Sequence, residues 1–476
     1  MTRKTWVDFW PESTASLSKE DLQSLDESNF DDLLRMVARR ERKSSGSGKR
    51  ARSIRRKLII RRRNEKRIPY SKKALSYRFL DCENISSVSP DRKKNWLPLH
   101  RRKGKTADID CKDFSFIDNP IETMRLFWKI VDAECKSRGF RINFEDRQVL
   151  DIGPFLLLGS LRERMTPVIL GGSIRPSTQK VLAAVDLMDF LRIGGLPKLS
   201  SDDIWPLPLH RRRRGGSSSP NASVAMQSST VERVADQTVA SVNEWLGTLS
   251  PSEELTVAGA SALKTVITEA LNNAERHGRV QGDGEWVTAG FMARRQSEVD
   301  GKVRTTHVCH LGLMNLGLTI SDTIKSGPEH ILGQLKKYQD LHRSSRISQD
   351  TLSTVFALQD GISRVEQGCG SPSGGTGMMD IVEFANEVGR QPAGILQTTV
   401  AILSGKSYIR FAHPFSRGVE SGDGRRLQWF NEPNLVTAPP SNDFVMDLPH
   451  AFPGTMITAR FVLDDAWEEE DARDDD

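Results

Sequence analysis

The chain has 476 residues, enough for two or three domains with proper cores, with 37% hydrophobic and 27% charged residues and a formal net charge of +6. Its longest apolar stretch, around 149–161, is short and broken by Asp151, Gly153 and Pro154, which excludes a bilayer span there. Five scattered cysteines with no CxxC pair exclude a disulfide scaffold and fit a reducing compartment.

Met1 leads into Trp6, Asp8 and Trp10 rather than an apolar signal core, so a cytoplasmic location is expected. Residues 1–38 alternate acidic and apolar positions, and Leu22, Leu25, Phe30, Leu33, Leu34 and Val37 mark a short amphipathic helix. Residues 39–73 are dominated by Arg and Lys, and further basic clusters stand at Arg92–Lys94 and Arg101–Lys105. Such blocks are poor candidates for burial, so residues 1–109 are expected as a basic, partly disordered region.

From 110 to 205 short strands and helices alternate, as in a small α/β domain. The expected elements are a strand at Phe114–Ile117, a helix at Ile121–Lys136, a strand at Phe140–Phe144 and a helix at Phe155–Arg164. A strand at Pro167–Leu170 and a helix at Pro176–Leu191 follow. Residues 206–229, with the Arg211–Arg214 run followed by Gly, Ser and Pro, read as a wet, flexible linker. A second domain spans 230–463, and the acidic residues of 464–476 form a tail.

The second domain carries the chemistry. Over Leu255–Gly278, apolar residues such as Val257, Leu263, Val266, Ile267 and Leu271 recur at helical steps. Glu269, Asn273 and His277 are four apart, so each is rotated only about 40° from the last and the three share a side of that helix. An Asn oxygen suits Mg²⁺, a hard cation usually completed by waters and substrate phosphates. A Glu one turn earlier can orient or deprotonate an attacking water or hydroxyl. The bland alternative is a surface helix whose polar stripe holds these residue types by chance.

A strand over Val303–Leu313 then runs into Asn315-Leu-Gly317-Leu-Thr-Ile, with a helix starting near Ser321 or Asp322. A polar residue at a strand end with glycine two later can hold a purine edge, or can be a plain strand-to-helix turn. Gly374-Gly375-Thr376-Gly377 precedes a helical run, and such a loop brings backbone N–H groups and a positive helix end to an anion. Alone, it is often only a flexible turn. Thr399–Leu403 and Ser407–Phe411 read as a hairpin around Ser404-Gly405-Lys406, and Met456–Leu463 reads as a final strand after Pro453-Gly454-Thr455.

In this order the pieces resemble the GHKL (histidine-kinase-like) ATPase family. Glu269-Ala-Leu-Asn-Asn273-Ala-Glu-Arg-His277-Gly278 is similar to its N-box, in the form usual for anti-sigma-factor serine kinases. Asn315–Ile320 stands in the place of the first glycine box, Gly374–Gly377 in that of the second, and Gly454-Thr455 resembles the terminal Gly-Thr element. The resemblance covers 230–463. It implies a two-layer α/β sandwich, a mixed sheet with helices on one face, under a lid between Lys325 and Ser373. That lid carries Lys336, Lys337, Arg343, Arg346 and Arg364. The resemblance also implies Asn273 as the Mg²⁺ ligand and Glu269 as the catalytic base. His277, Asn315, Gly317, Gly374, Gly375, Thr376, Gly377 and Thr455 would join Asn273 in holding ATP. Two departures stand out: Asn315 replaces the usual Asp, and Thr319 replaces a glycine. The 110–205 domain resembles STAS domains in its strand–helix alternation and the Val149-Leu-Asp151-Ile-Gly153 turn. No Ser or Thr lies between Asp151 and Leu158, so a phosphorylation switch there is not expected.

The function expected is an ATP-binding regulatory protein, with Mg²⁺ and ATP as cofactors and a protein partner. Hydrolysis and Ser/Thr phosphotransfer are both open, as is homodimerisation. A phospho-accepting histidine kinase is excluded within this chain, since no His lies between His210 and His277. The alternatives are nucleic-acid binding through the basic arm, and a non-enzymatic scaffold on a degenerate GHKL fold.

Overall fold

A computed structural model of the chain describes residues 82–97, 102, 107–166, 168–194, 199, 203–212, 230–249, 254–278, 285–299, 302–362, 398–415, 418–422 and 424–464. The helix expected within 1–38, the basic run 39–73, Gly374–Gly377 and the acidic tail beyond Asp464 lie outside these residues. Among the described residues, no helix is long and apolar enough to cross a membrane, and Cys82, Cys111, Cys135 and Cys309 are free, buried thiols.

The fold is a mixed α/β one with two principal sheets. The first unit opens with α1 (Glu83–Val88) and α2 (Arg92–Asn95). Strands β1 (Ala107–Cys111), β2 (Phe140–Phe144) and β3 (Ile169–Ile174) then pair in parallel, in the order β1-β2-β3. Helices α3 (Pro120–Lys136) and α4 (Gly153–Arg162) make the crossovers, and α5 (Pro176–Ala184) and α6 (Leu187–Phe190) follow. Pro120 sits in the first turn of α3, where its missing N–H costs nothing, and Met124, Phe127, Ile130 and Val131 form its buried stripe. All but the last residue of α4 is buried, which fits a helix wedged between two sheets.

The second sheet has five strands in the order β4-β5-β6-β10-β7. These are β4 (Ile204–Arg212), β5 (Trp286–Val299), β6 (Lys302–Leu316), β10 (Val445–Asp464) and β7 (Thr399–Phe411). Its front face carries α7 (Val231–Leu249), α8 (Val257–His277), α9 (Ile320–Ile324), α10 (Glu329–Leu341) and α11 (Gln349–Ala357). A small ribbon, β8 (Val419–Glu420) with β9 (Arg426–Leu427), lies before β10. The back face packs Val287, Phe291, Met314, Leu403, Tyr408 and Met456 into one continuous core with α1, α3 and α4.

Several expectations are corrected. The sheet of the second unit is antiparallel at every described pairing rather than mixed, and helices cover both of its faces, not one. Phe114–Ile117 is not a strand: the N–H groups of Asp113 and Phe114 donate to the Asp146 carboxylate at 2.8 Å, and that of Phe116 donates to Asp151 at 2.8 Å. Side-chain carboxylates thus take the donors a neighbouring strand would have used. The proposed linker begins later than residue 206, because 204–212 is a sheet strand whose Arg211 meets Glu163 through two bonds of 2.6 and 2.5 Å. The hairpin at 399–411 is a single strand, with the irregularity carried by β10 between Asp447 and Thr455.

The basic clusters also behave differently from expectation. Arg92 is fully buried, its Nε and Nη2 each 3.2 Å from the Glu134 carboxylate. Arg102 is fully buried too, donating to the carbonyls of Leu97 (2.5 Å) and Ser137 (2.9 Å) beneath the Trp96 ring. A buried guanidinium is tolerable because each is paired or hydrogen-bonded. The first unit therefore reaches back at least to Cys82, well ahead of residue 110.

Candidate functional site

Helix α8 starts at Thr256, whose hydroxyl accepts the Gly259 N–H at 3.0 Å, and ends at His277, with Gly278 as its C-cap. Glu275 fixes its orientation by accepting from the Trp286 indole N–H at 2.8 Å and pairing with Arg212. Glu269 and Asn273 lie on another side of the helix and are both partly exposed. They stand at the border between its buried stripe and solvent.

The end of α8 meets the end of β6. The Leu318 N–H donates to the Gly278 carbonyl at 3.1 Å, and the Gly317 N–H donates to the Pro453 carbonyl at 3.1 Å. Gly317 has φ +147° and Gly454 φ +144°. A Cβ on Gly317 would stand 2.0 Å from the Gly278 oxygen, and one on Gly454 would stand 2.2 Å from the Asn315 oxygen. Both positions need glycine for this close approach of three chain segments.

Across the sheet, Asn315 of β6 lies opposite Thr455 of β10, which lies opposite Ser404 of β7. Directly opposed residues point to one face, here the face that carries α8. Asn315 is buried, and Thr455 is partly exposed. The Thr455 and Ser404 hydroxyls are 2.9 Å apart, and Ser404 also accepts the Ile320 N–H at 2.8 Å. Thr319 caps α9: its hydroxyl accepts the Asp322 N–H at 3.0 Å, and Asp322 accepts the Thr319 N–H at 3.1 Å.

Of the predicted residues, the structure gathers Asn315, Gly317 and Thr455 at one place, at the C-terminal end of the helix that carries Glu269, Asn273 and His277. Gly374, Gly375, Thr376 and Gly377 lie outside the described residues, as does Arg364. Sequence reading missed Ser404, which it placed in a turn, and no local signal marks it. It missed the capping role of Thr319, although Thr319-Ile-Ser-Asp322 has the spacing of a capping box.

The described part of the expected lid is not loose. α10 and α11 bury Ile331, Leu335, Tyr338, Leu352, Val355 and Phe356. Asp447 of β10 accepts from the Ser348 N–H (2.9 Å), the Ser348 hydroxyl (2.6 Å) and the Thr351 hydroxyl (2.5 Å). Lys336, Lys337, Arg343 and Arg346 are exposed. Lys325 donates to Asp350 at 2.5 Å, and this bond holds the Asp350 carboxyl below its ordinary value.

Among the described residues no cluster of three or more His, Cys, Asp or Glu is placed to hold a metal ion. A shallow cleft beside Ser160, Glu163, Arg164, Arg211 and Glu285 opens on the other side of the sheet, between ion pairs already made. In comparisons with known proteins, no family model, no curated protein and no solved structure matches the chain.

Proposed function

We propose that the chain is an ATP-binding regulatory protein of the GHKL type, with its nucleotide held on the front face of the five-stranded sheet beside α8. The observation that carries this reading is the convergence of Gly278, Gly317, Gly454, Asn315 and Thr455. Segments widely separated in sequence supply a buried amide, a hydroxyl and two glycine-lined backbones to one spot. The donor set fits a hard cation completed by phosphate oxygens: Asn273 offers a neutral oxygen from a partly exposed helix side. Magnesium bound there would neutralise phosphate charge. Asn273 would hold it, and Glu269, one turn earlier, would orient a water or a partner's Ser/Thr hydroxyl and take its proton.

The STAS-like reading of the first unit belongs to the same proposal. Its support is the parallel strand–helix alternation and the Asp151 turn, which docks within the chain onto β10. The basic-arm alternative rests on 39–73, outside the described residues.

Calorimetry with Mg²⁺·ATP on the full chain tests the reading. Wild type should bind, and Asn273→Ala should weaken Mg²⁺·ATP on the order of 10–100-fold, as losses around a metal typically do. Absence of wild-type binding would sink the ATPase and kinase readings together. Turnover with and without Glu269→Ala then separates hydrolysis or transfer from binding alone.

A further inference from the structure

We infer that Asn315 and Thr455 read a purine edge as an invertible pair, so that the site takes 6-oxopurine nucleoside triphosphates such as GTP alongside ATP. This rests on the nucleotide-binding reading above and names its substrate class. Asn315 is 8% exposed, and among the described residues its carboxamide has no hydrogen-bond partner. Its amide atoms are not sealed from solvent, so they can meet a ligand edge offering both a donor and an acceptor.

Thr455 lies directly opposite, its Cβ roughly 4.5–5.5 Å from that of Asn315 as cross-strand pairing dictates. Its hydroxyl proton is not committed. Ser404 accepts from Ile320 N–H at 2.8 Å, and its own proton has two acceptors, the Thr455 hydroxyl at 2.9 Å and the Gly454 carbonyl at 3.3 Å. When Ser404 donates to Gly454, Thr455 donates to Ser404 and turns lone pairs outward. When Ser404 donates to Thr455, the Thr455 proton is free for a ligand.

Adenine presents a 6-amino donor beside the N1 acceptor. Guanine and hypoxanthine present a 6-oxo acceptor beside an N1–H donor. The Asn315 oxygen with a donating Thr455 fits the first. The Asn315 amide turned over, with an accepting Thr455, fits the second. Both halves of the network invert together. A carboxylate at position 315 has no proton to give and fits only adenine.

The test compares Mg²⁺·ATP and Mg²⁺·GTP binding to the full-length wild type and to Asn315→Asp. In wild type the two dissociation constants should agree within about tenfold. In Asn315→Asp, ATP binding should persist while GTP weakens by on the order of 10–100-fold, because two acceptors then face each other. Wild type that binds ATP but prefers it over GTP by more than that tenfold overturns this inference and leaves the nucleotide reading standing. Wild type that binds neither overturns both. The wild-type comparison needs no variant to fold, and a melting curve of Asn315→Asp checks the second arm.

Discussion

The two faces of the five-stranded sheet spend their polar residues differently. Along β10, Thr458 and Arg460 point back and Thr455 points forward, as the two-residue alternation of a strand requires. On the back, the Thr458 hydroxyl donates to Asp151 at 2.5 Å, and Arg460 makes two bonds to Asp118 at 2.7 and 2.9 Å. Tyr408 of β7 donates to the Ile117 carbonyl at 3.0 Å, and Trp128 stacks on His450. Each of these groups meets one from the first unit, while the buried Arg460 Nε has no partner among the described residues. On the front, Asn315 is 8% exposed and its amide atoms keep access to solvent. The contrast separates polar groups that mount one unit on the other from polar groups left accessible beside α8. Changes to the mount should therefore cost stability, and changes to the front row should cost binding.

The largest loss should come from within the first unit, which carries the mount. Glu134 accepts from Arg92 twice and from the Thr166 N–H at 3.0 Å, all buried. Glu134→Ala leaves the Arg92 charge uncompensated and should cost about 3–5 kcal/mol in denaturant unfolding. The double change Arg92→Met with Glu134→Leu should recover most of it, since an apolar pair needs no partners. A Glu134→Ala loss below about 1 kcal/mol would mean that this buried pair does little to hold the unit that carries the mount.

Asp151→Ala comes next, at about 2–4 kcal/mol, because it strands the Phe116 and Gly153 N–H groups and the Thr458 hydroxyl. Its pH dependence has a definite sign. Burial raises the Asp151 carboxyl above its ordinary value of 3.8, against the lowering effect of its three hydrogen bonds. A group whose folded value is raised contributes fully below its unfolded value and loses that contribution as pH rises through the folded one. The advantage of wild type over Asp151→Ala should thus be larger around pH 4 than around pH 8, measured by unfolding at both. An advantage that grows with pH would mean that the hydrogen bonds outweigh burial.

Elements with a clean period were legible in the sequence. The α3 stripe of Met124, Phe127, Ile130 and Val131, the alternation of Phe140, Ile142 and Phe144, and the run along α8 all form the elements expected. What escaped depends on partners far along the chain. Arg92 is buried only because Glu134 stands 42 residues later, and the N–H groups of Asp113, Phe114 and Phe116 go to Asp146 and Asp151, 32 to 35 residues on. At the candidate site the order of Asn315, Gly317 and Thr455 could be read as a motif. Ser404 could not, because its place comes from strand register against Thr455, and register has no local signature.

The smallest stability change and the sharpest test of the front face meet in Thr455→Val. Valine keeps the branched shape and the strand preference, so the backbone around Gly454 has no reason to move. The change removes a single hydroxyl, partly exposed, whose hydrogen-bond companion among the described residues is Ser404 at 2.9 Å. Ser404 retains the Ile320 N–H as donor and the Gly454 carbonyl as acceptor. The unfolding free energy should fall by less than about 1 kcal/mol. Nucleotide binding should fall by roughly tenfold or more, since the base edge loses one of its two partners. A variant with large stability loss and unchanged nucleotide affinity would place Thr455 with Thr458, as one more fastening of the sheet. The reverse pattern would leave the division between the faces drawn by a shift of three residues along one strand.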